Sequence, residues 1–256
     1  MQSTQHSPLR IVIVGATSTM AEHCARLWLQ SAPAELVLVG RDEARLQRVA
    51  SDLAVRSPTS TIEIRTTDFV DGAAIHHFVA TLCSTRTPDL VLIAHGTLPN
   101  QDTCQLNLSA CREALEINGV SPVLFAEAFV THMQLADRGT LIIIGSVAGD
   151  RGRKSNYVYG SAKGMVTRYA QGLQHRLALA KSHLKVVLVK PGPTATPMTA
   201  HMVGQGPALA SVEEVARTIV AGAAKGKAVV YAPGKWFVIM MIIRHLPTWI
   251  FNKINI

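Results

Sequence analysis

The sequence predicts an α/β protein: a single-domain, doubly wound, largely parallel sheet of about seven strands, ending in an apolar, basic C-terminal tail. Three observations carry that reading. Short β-branched runs alternate with longer helical patterns almost from end to end, the signature of strand–helix–strand units. Most strand candidates are apolar at successive positions, as expected when helices cover both faces of a sheet. No repeat, linker or low-complexity tract interrupts the alternation.

Taken in order, a strand over Arg10–Val14 runs into Gly15-Ala16-Thr17-Ser18-Thr19-Met20-Ala21 and a helix over Met20–Gln30. A strand at Leu36–Val39, a helix at Asp42–Val55 and strands at Ile62–Arg65 and Leu90–Ile93 follow. A long helix at Ala110–Met133, a strand at Thr140–Ile144, a helix at Asn156–Lys181 and a strand at Lys185–Val189 come next. Right-handed crossovers then place ligands at the carboxyl edge of the sheet. Pro191–Pro207, with four prolines and three glycines, breaks the rhythm at that edge and predicts a flap over about 191–210. Ser211 is placed to cap a helix at Val212–Ala224, and Ala228–Tyr231 is the last strand. The domain is expected over 1–233 and the apolar, basic extension over 234–256.

The chain has 256 residues, 48% of them hydrophobic, 16% charged, and a formal net charge of +8. No run approaches the roughly 20 apolar residues that span a bilayer. The first ten residues lack the apolar stretch of a secretory signal, which points to a cytoplasmic location. Cys24, Cys83, Cys104 and Cys111 have no metal-ligand spacing and read as reduced thiols, so no metal is expected. After Glu214 no acidic side chain remains, while Arg217, Lys225, Lys227, Lys235, Arg244 and Lys253 do. A basic end suits an anionic surface or ligand, although a solvated face would look the same. No nucleic-acid recognition motif accompanies it, and no nucleic-acid partner is expected.

At the first strand end, a tight turn into a helix presents backbone N–H groups and the positive helix end to a pyrophosphate. Gly15 permits the turn, and Thr17, Ser18 and Thr19 add hydroxyls. With one glycine the G-x-G-x-x-G pattern fails, so the turn alone is a weak signal. The second strand ends in Gly40-Arg41-Asp42, with Asp42 placed as a helix N-cap. An arginine there suits a 2′-phosphate, which favours NADPH over NADH. Asp68 and Phe69, after the third strand, are placed at the adenine edge.

Tyr159 and Lys163 stand at i, i+4 inside one helix, and therefore on one face. A nearby ammonium is expected to draw the phenol pKa down from about 10. Ser146, at the end of the strand that precedes them, offers a hydroxyl to a carbonyl oxygen.

With these residues in view the chain resembles the short-chain dehydrogenase/reductase family from about Leu9 to Tyr231. The match rests on Tyr-x-x-x-Lys, a serine thirteen residues before the tyrosine, Asn118 in the long helix, and Pro191-Gly192 with Thr196. The resemblance implies a Rossmann-like fold and NAD(P)H-dependent oxidoreduction. It assigns Ser146 to polarise a carbonyl, Tyr159 to deliver a proton, Lys163 to hold the nicotinamide ribose and Asn118 to anchor a relay water. Gly15, Thr17, Ser18, Thr19, Met20, Arg41, Asp68, Phe69, Ala94, Gly96, Pro191, Gly192 and Thr196 would join Tyr159 and Lys163 around the cofactor. The chain departs from the pattern where Thr19 and Ala21 replace glycines, and where Ile93-Ala94-His95-Gly96 replaces Asn-Asn-Ala-Gly. His95 reads as a packed strand-end histidine rather than an extra acid/base.

A finer resemblance is to the decaprenylphosphoryl-2-keto-ribose reductases, on Arg153–Ser161, Lys190-Pro191-Gly192, Met198–His201, Lys225-Gly226-Lys227 and Met240–Pro247. It implies reduction of C2 of a lipid-linked 2-keto-pentofuranose to the arabinose form, in cell-wall or glycan precursor biosynthesis. A partner oxidase would supply the keto group, and a homo-dimer or homo-tetramer is implied. Arg151 and Arg153, with Lys154, are placed to meet the substrate phosphate beside Ser146 and Tyr159. The apolar tail suits peripheral contact at the inner membrane surface, a subunit interface, or packing on its own core. Two other readings stay open: a reductase of soluble ketones or 3-oxoacyl thioesters, and a non-catalytic nicotinamide-binding sensor or assembly subunit.

Overall fold

A computed structural model describes residues 7–202, 204 and 208–254, without the side chains of His201 and Met202. Parts of the expected flap (203 and 205–207) and the chain ends therefore lie outside the described residues. The seven strands are β1 Leu9–Val14, β2 Ala34–Gly40, β3 Thr61–Thr66, β4 Leu90–Ile93, β5 Thr140–Ile144, β6 Lys185–Pro191 and β7 Val229–Ala232. They form one sheet in the order β3-β2-β1-β4-β5-β6-β7, and every pairing is parallel.

The continuous apolar strands divide their side chains between two cores. On one face Ile11 and Ile13 pack with Leu36, Leu38, Leu46 and Ile219. This layer is covered by α1 Thr19–Ser31, α2 Glu43–Arg56 and α8 Val212–Ala224. On the other face Val12 and Val14 pack with Phe125, Phe129 and Met133. Here α3 Gly72–Thr85, α6 Ser121–Leu135 and α7 Tyr157–Leu179 form the cover. Phe125, Phe129 and Met133 are fully buried, and each contributes roughly 1.5–3 kcal/mol by leaving water.

The helix expected over Ala110–Met133 is built from α5 Leu108–Leu115, a π-helical turn at Glu116–Val120, and α6. Leu108–Leu135 is long and apolar enough to cross a membrane, yet its apolar side is spent on the second core. The reading of the sequence overlooked α3 and the short α4 Gln101–Leu106. Both have side-chain caps, Asp71 and Asn100 respectively, and α3 buries Ile75, Val79, Leu82 and Cys83 at helical spacing. The tail folds as α9 Lys235–His245 and α10 Thr248–Phe251.

Because β1 and β4 are sheet neighbours, the chain reverses its direction of travel between them. The crevice at such a switch point, past the strand carboxyl ends, is where doubly wound sheets take ligands.

Candidate active site

A cleft runs along that edge, from the first strand–helix turn to the loop after β6. Its near end is set by Gly15, which holds φ +82° and whose added Cβ would lie 2.6 Å from the His95 backbone nitrogen. No other residue type fits both constraints, which explains why this glycine survives while Thr19 and Ala21 stand at the other two positions. The Gly15 and Ala16 N–H groups donate to the Val39 carbonyl at 2.8 and 3.1 Å, tying the turn to β2. Gly15, Thr17, Ser18, Thr19 and Met20 all line the cleft, and the Ser18 side chain makes no capping bond of its own. The α1 N-terminus thus faces open space with its first N–H groups available, the geometry that suits a pyrophosphate.

Arg41 lines the cleft past β2, joined by Arg45 from the first turn of α2, which the sequence reading did not single out. Asp42 accepts from the Arg45 N–H at 2.9 Å as the helix cap, so its carboxylate is used by the fold. Phe69 also lines the cleft, whereas Asp68 does not. Asp68 instead accepts from the Val70 and Asp71 N–H groups at 2.7 and 3.1 Å, and these bonds hold its carboxyl below the usual range. A short acidic side chain after a strand is in this way captured by the following turn, which uses one of its two carboxylate oxygens.

Ala94, His95 and Gly96 form the cleft floor after β4. His95 packs edge-on against Phe69 and Phe125, with ring centroids 4.8 and 5.6 Å away. It shares a 2.8 Å hydrogen bond with the Ser121 hydroxyl. Burial, reinforced by the Lys163 and Arg41 charges, pushes its pKa down to about 3, leaving a neutral ring across the physiological range.

Asn118 sits inside the π-helical turn and is fully buried. Its side chain accepts from the Thr97 N–H at 2.9 Å and donates to the Ala114 carbonyl at 2.9 Å and the Thr97 hydroxyl at 3.2 Å. The side chain thereby fixes the loop after Gly96 against the helix. A π turn inside an α-helix commonly marks a functional position.

Ser146, Tyr159 and Lys163 come together at the far end of the cleft. Ser146 caps a 3₁₀ turn at Val147–Gly149, accepting from the Ala148 N–H at 3.1 Å, which leaves its own O–H as a donor toward the cleft. The turn lies so close to α7 that a Cβ on Gly149 would meet the Lys163 carbonyl at 2.6 Å. Ser146 also bears on Tyr159, its hydroxyl favouring the phenolate form. Lys163 is 3% exposed and donates to the Ile144 carbonyl at 3.1 Å. Burial pushes its pKa down to about 8, so it is mostly an ammonium at neutral pH.

The expectation that this ammonium lowers the Tyr159 pKa is not met in the free protein. Burial raises the phenol above its ordinary value, and the Ser146 hydrogen bond only partly opposes it. Lys163 Nζ lies 5.9 Å from the Tyr159 ring centroid and points to Ile144, so desolvation outweighs its field.

Past β6, Pro191, Gly192 and Thr196 line the cleft. Thr199 braces this loop, donating from its hydroxyl to the Thr194 carbonyl and accepting from the Thr196 N–H at 3.1 Å. Beneath it, Lys190 and Asp150 form an ion pair with side chains 4% and 2% exposed, and the Tyr231 hydroxyl donates to Asp150 at 2.7 Å. This pair, also not anticipated, straps the Ser146 loop to the Pro191 loop.

Of the two arginines expected at the substrate, the structure brings only Arg153 to the cleft. Arg153 Nε and Asn156 Oδ1 are buried without hydrogen-bond partners among the described residues. Desolvation alone accounts for a lowered Arg153 pKa, with no carboxylate opposing it. Arg151 is engaged elsewhere, donating to the Ile243 and Leu246 carbonyls at 2.6 Å each, with its guanidinium 3.8 Å above the Phe251 ring. Its expected phosphate contact is corrected for that reason: the uncapped carbonyls at the end of α9 capture it.

Residues 10–205 match the family described as short chain dehydrogenase. An uncharacterized oxidoreductase of Mycobacterium tuberculosis (strain H37Rv) is 30% identical over 258 residues, covering 99% of each chain. An uncharacterized oxidoreductase of Streptomyces coelicolor is 27% identical over 250 residues, covering 96% of each. A solved short-chain dehydrogenase from Sphingobium yanoikuyae, in complex with NADPH, superimposes with TM-score 0.79 at 20% identity, over 94% of this chain and 97% of that one. A bulky-bulky ketone specific alcohol dehydrogenase from Comamonas testosteroni gives TM-score 0.78 at 20% identity, over 95% and 96%.

Proposed function

The chain belongs to the short chain dehydrogenase family and is an NAD(P)-dependent oxidoreductase of alcohol or ketone groups, and we propose that it works as an NADPH-dependent reductase of a phosphate-bearing ketone. The substrate we favour is a polyprenylphosphoryl 2-keto-pentofuranose, reduced at C2. The observation that carries the anionic substrate is Arg153, an arginine in the wall of the cleft whose buried Nε has no partner among the described residues and whose lowered pKa comes from burial, with no carboxylate holding it up. A guanidinium partly withdrawn from water with no anion beside it gains from one, and a phosphate is its natural bidentate partner.

In this reading the turn Gly15–Met20 and the α1 N-terminus take the pyrophosphate, and Gly96, Pro191, Gly192 and Thr196 flank the nicotinamide half. Arg41 and Arg45 support a 2′-phosphate, and Asp42, used as a helix cap, offers no competing acceptor to a ribose hydroxyl. When bound, the nicotinamide supplies a hydride to the carbonyl carbon. Ser146 turns its hydroxyl hydrogen from Tyr159 to the carbonyl oxygen and polarises it. Tyr159 passes its proton to the oxygen as negative charge develops there, and a raised pKa keeps it protonated for that task. The phenolate left on Tyr159 is stabilised by the Lys163 ammonium and takes back a proton by way of Lys163, which is itself resupplied from solvent on the side anchored by Asn118.

The reading includes an oxidase that makes the keto group on the same carrier, and a homo-dimer or homo-tetramer. Exposed Leu106, Leu108, Met165 and Leu179, on the helices that carry Asn118 and Tyr159 or next to them, support such pairing. The test compares wild type with Arg153→Ala on a polyprenylphosphoryl 2-keto-pentose and on a neutral ketone. We expect KM to rise at least tenfold for the phosphorylated sugar alone; equal effects on both would remove the phosphate assignment.

A further inference from the structure

The tail presents a surface that the cleft chemistry does not use. On α9 only Met240 is buried, while Phe237, Val238, Met241 and Ile242 are 55%, 60%, 43% and 61% exposed, and Trp249 of α10 is 68% exposed. At 100° per residue, Lys235, Val238, Met241, Ile242 and His245 share one face, with Phe237 and Arg244 along its border. The outer half of a helix on a water-facing surface is ordinarily polar. This one is apolar along its length, with Lys235 at one end and Arg244 and His245 at the other.

Charge decides what covers it. From residue 215 to 256 there are six Lys and Arg side chains and no Asp or Glu. A second copy meeting this face about a two-fold axis would set the tail's bases against each other, with no carboxylate in the tail to pair them. An anionic bilayer supplies both missing partners, acyl chains for the apolar stripe and phosphates for its basic ends. Tryptophan beside Lys and Arg is the residue set of the headgroup zone.

The same element is fastened to the cleft at two points. Arg151, from the loop between Ser146 and Tyr159, clasps the end of α9 and stacks on Phe251. Trp236 packs against Gly192 so closely that an added Cβ would lie 1.9 Å from its Nε1. We propose that α9 and α10 are a docking face for anionic phospholipid, holding the cleft mouth at the bilayer surface. The proposal deepens the reading of a lipid-linked substrate, and its test uses no turnover, so either can fail alone.

The full chain would be sedimented with vesicles of phosphatidylcholine alone and of phosphatidylcholine mixed with phosphatidylglycerol. We expect pelleting with the anionic vesicles, weakened by salt, and a drop in the bound fraction of roughly tenfold or more for Ile242→Asp combined with Trp249→Asp. Both side chains are exposed, so the variant should keep the wild-type melting temperature and NADPH affinity. Absence of pelleting by wild type, or equal pelleting by wild type and variant, would overturn the proposal. So would a concentration-dependent dimer in light scattering that the variant abolishes while vesicle binding is unaffected, because the face would then belong to a second copy.

Discussion

Replacing Lys163 by Met should stabilise the fold at neutral pH while abolishing catalysis. Lys163 is 3% exposed, with one hydrogen bond, to Ile144 at 3.1 Å. Its pKa falls from 10.5 to about 8 through burial, which corresponds to roughly 3 kcal/mol against the charged form. Below pH 8 both folded and unfolded chains hold the proton, so that cost is fully present. Between about pH 8 and 10.5 only the unfolded chain holds it, and wild-type stability rises with pH through this window. Methionine is unbranched and similar in size, and it removes the charge at the cost of one hydrogen bond, about 1–2 kcal/mol. The net gain at pH 7 is therefore about 1–2 kcal/mol, or about 2–8 °C in Tm for a chain of this size. By pH 10 the advantage should vanish or reverse. Chemical denaturation at both pH values reads it directly. A Lys163→Met protein less stable than wild type at pH 7, or a difference that ignores pH, would refute the reasoning.

Two further perturbations probe the frame around the site. Asp150→Asn leaves Lys190 buried without its partner, which should cost about 3–5 kcal/mol, read as a fall in Tm. Combining it with Lys190→Met should recover much of the loss, and a cost under about 1 kcal/mol for the single change would deny the pair its role. Gly192→Ala drives a Cβ to 1.9 Å from Trp236 Nε1 and should cost about 1–3 kcal/mol through overpacking. Added to Trp236→Ala the same change should be nearly neutral, and purely additive effects would show that the loop and tail are not coupled.

The central strands were legible to within about two residues because burial on both faces writes them as unbroken apolar runs, and β4 and β5 begin and end where the sequence places them. Helix α3 was harder to see because its buried stripe is narrow and His76 and His77 stand between Ile75 and Val79 in sequence, on the exposed side, although Asp71 and the spacing of Ile75, Val79 and Leu82 mark it. The Ser146, Tyr159 and Lys163 group was readable since its spacing is local or set by one strand–loop–helix step. What sequence could not supply were partnerships across long separations. Asp150 with Lys190, Arg151 with Ile243 and Leu246, and Trp236 with Gly192 join segments about 40 to 95 positions apart. Burial likewise reversed the expected shift at Tyr159, because desolvation depends on what surrounds the ring rather than on its helical neighbour. Arg45 was hidden in plain view, one turn after Arg41, as an ordinary helix arginine.

The most direct test of the central claim follows NADPH carrying deuterium at its reactive position, in wild type and in Tyr159→Phe, with the polyprenylphosphoryl 2-keto-pentose. The account predicts that wild type places deuterium on the carbonyl carbon. The variant should bind NADPH as well as wild type does, yet turn over about 10²–10⁴ times more slowly. Turnover in the variant at the wild-type rate would contradict the role of Tyr159 as proton donor and, with it, the chemistry assigned to this cleft.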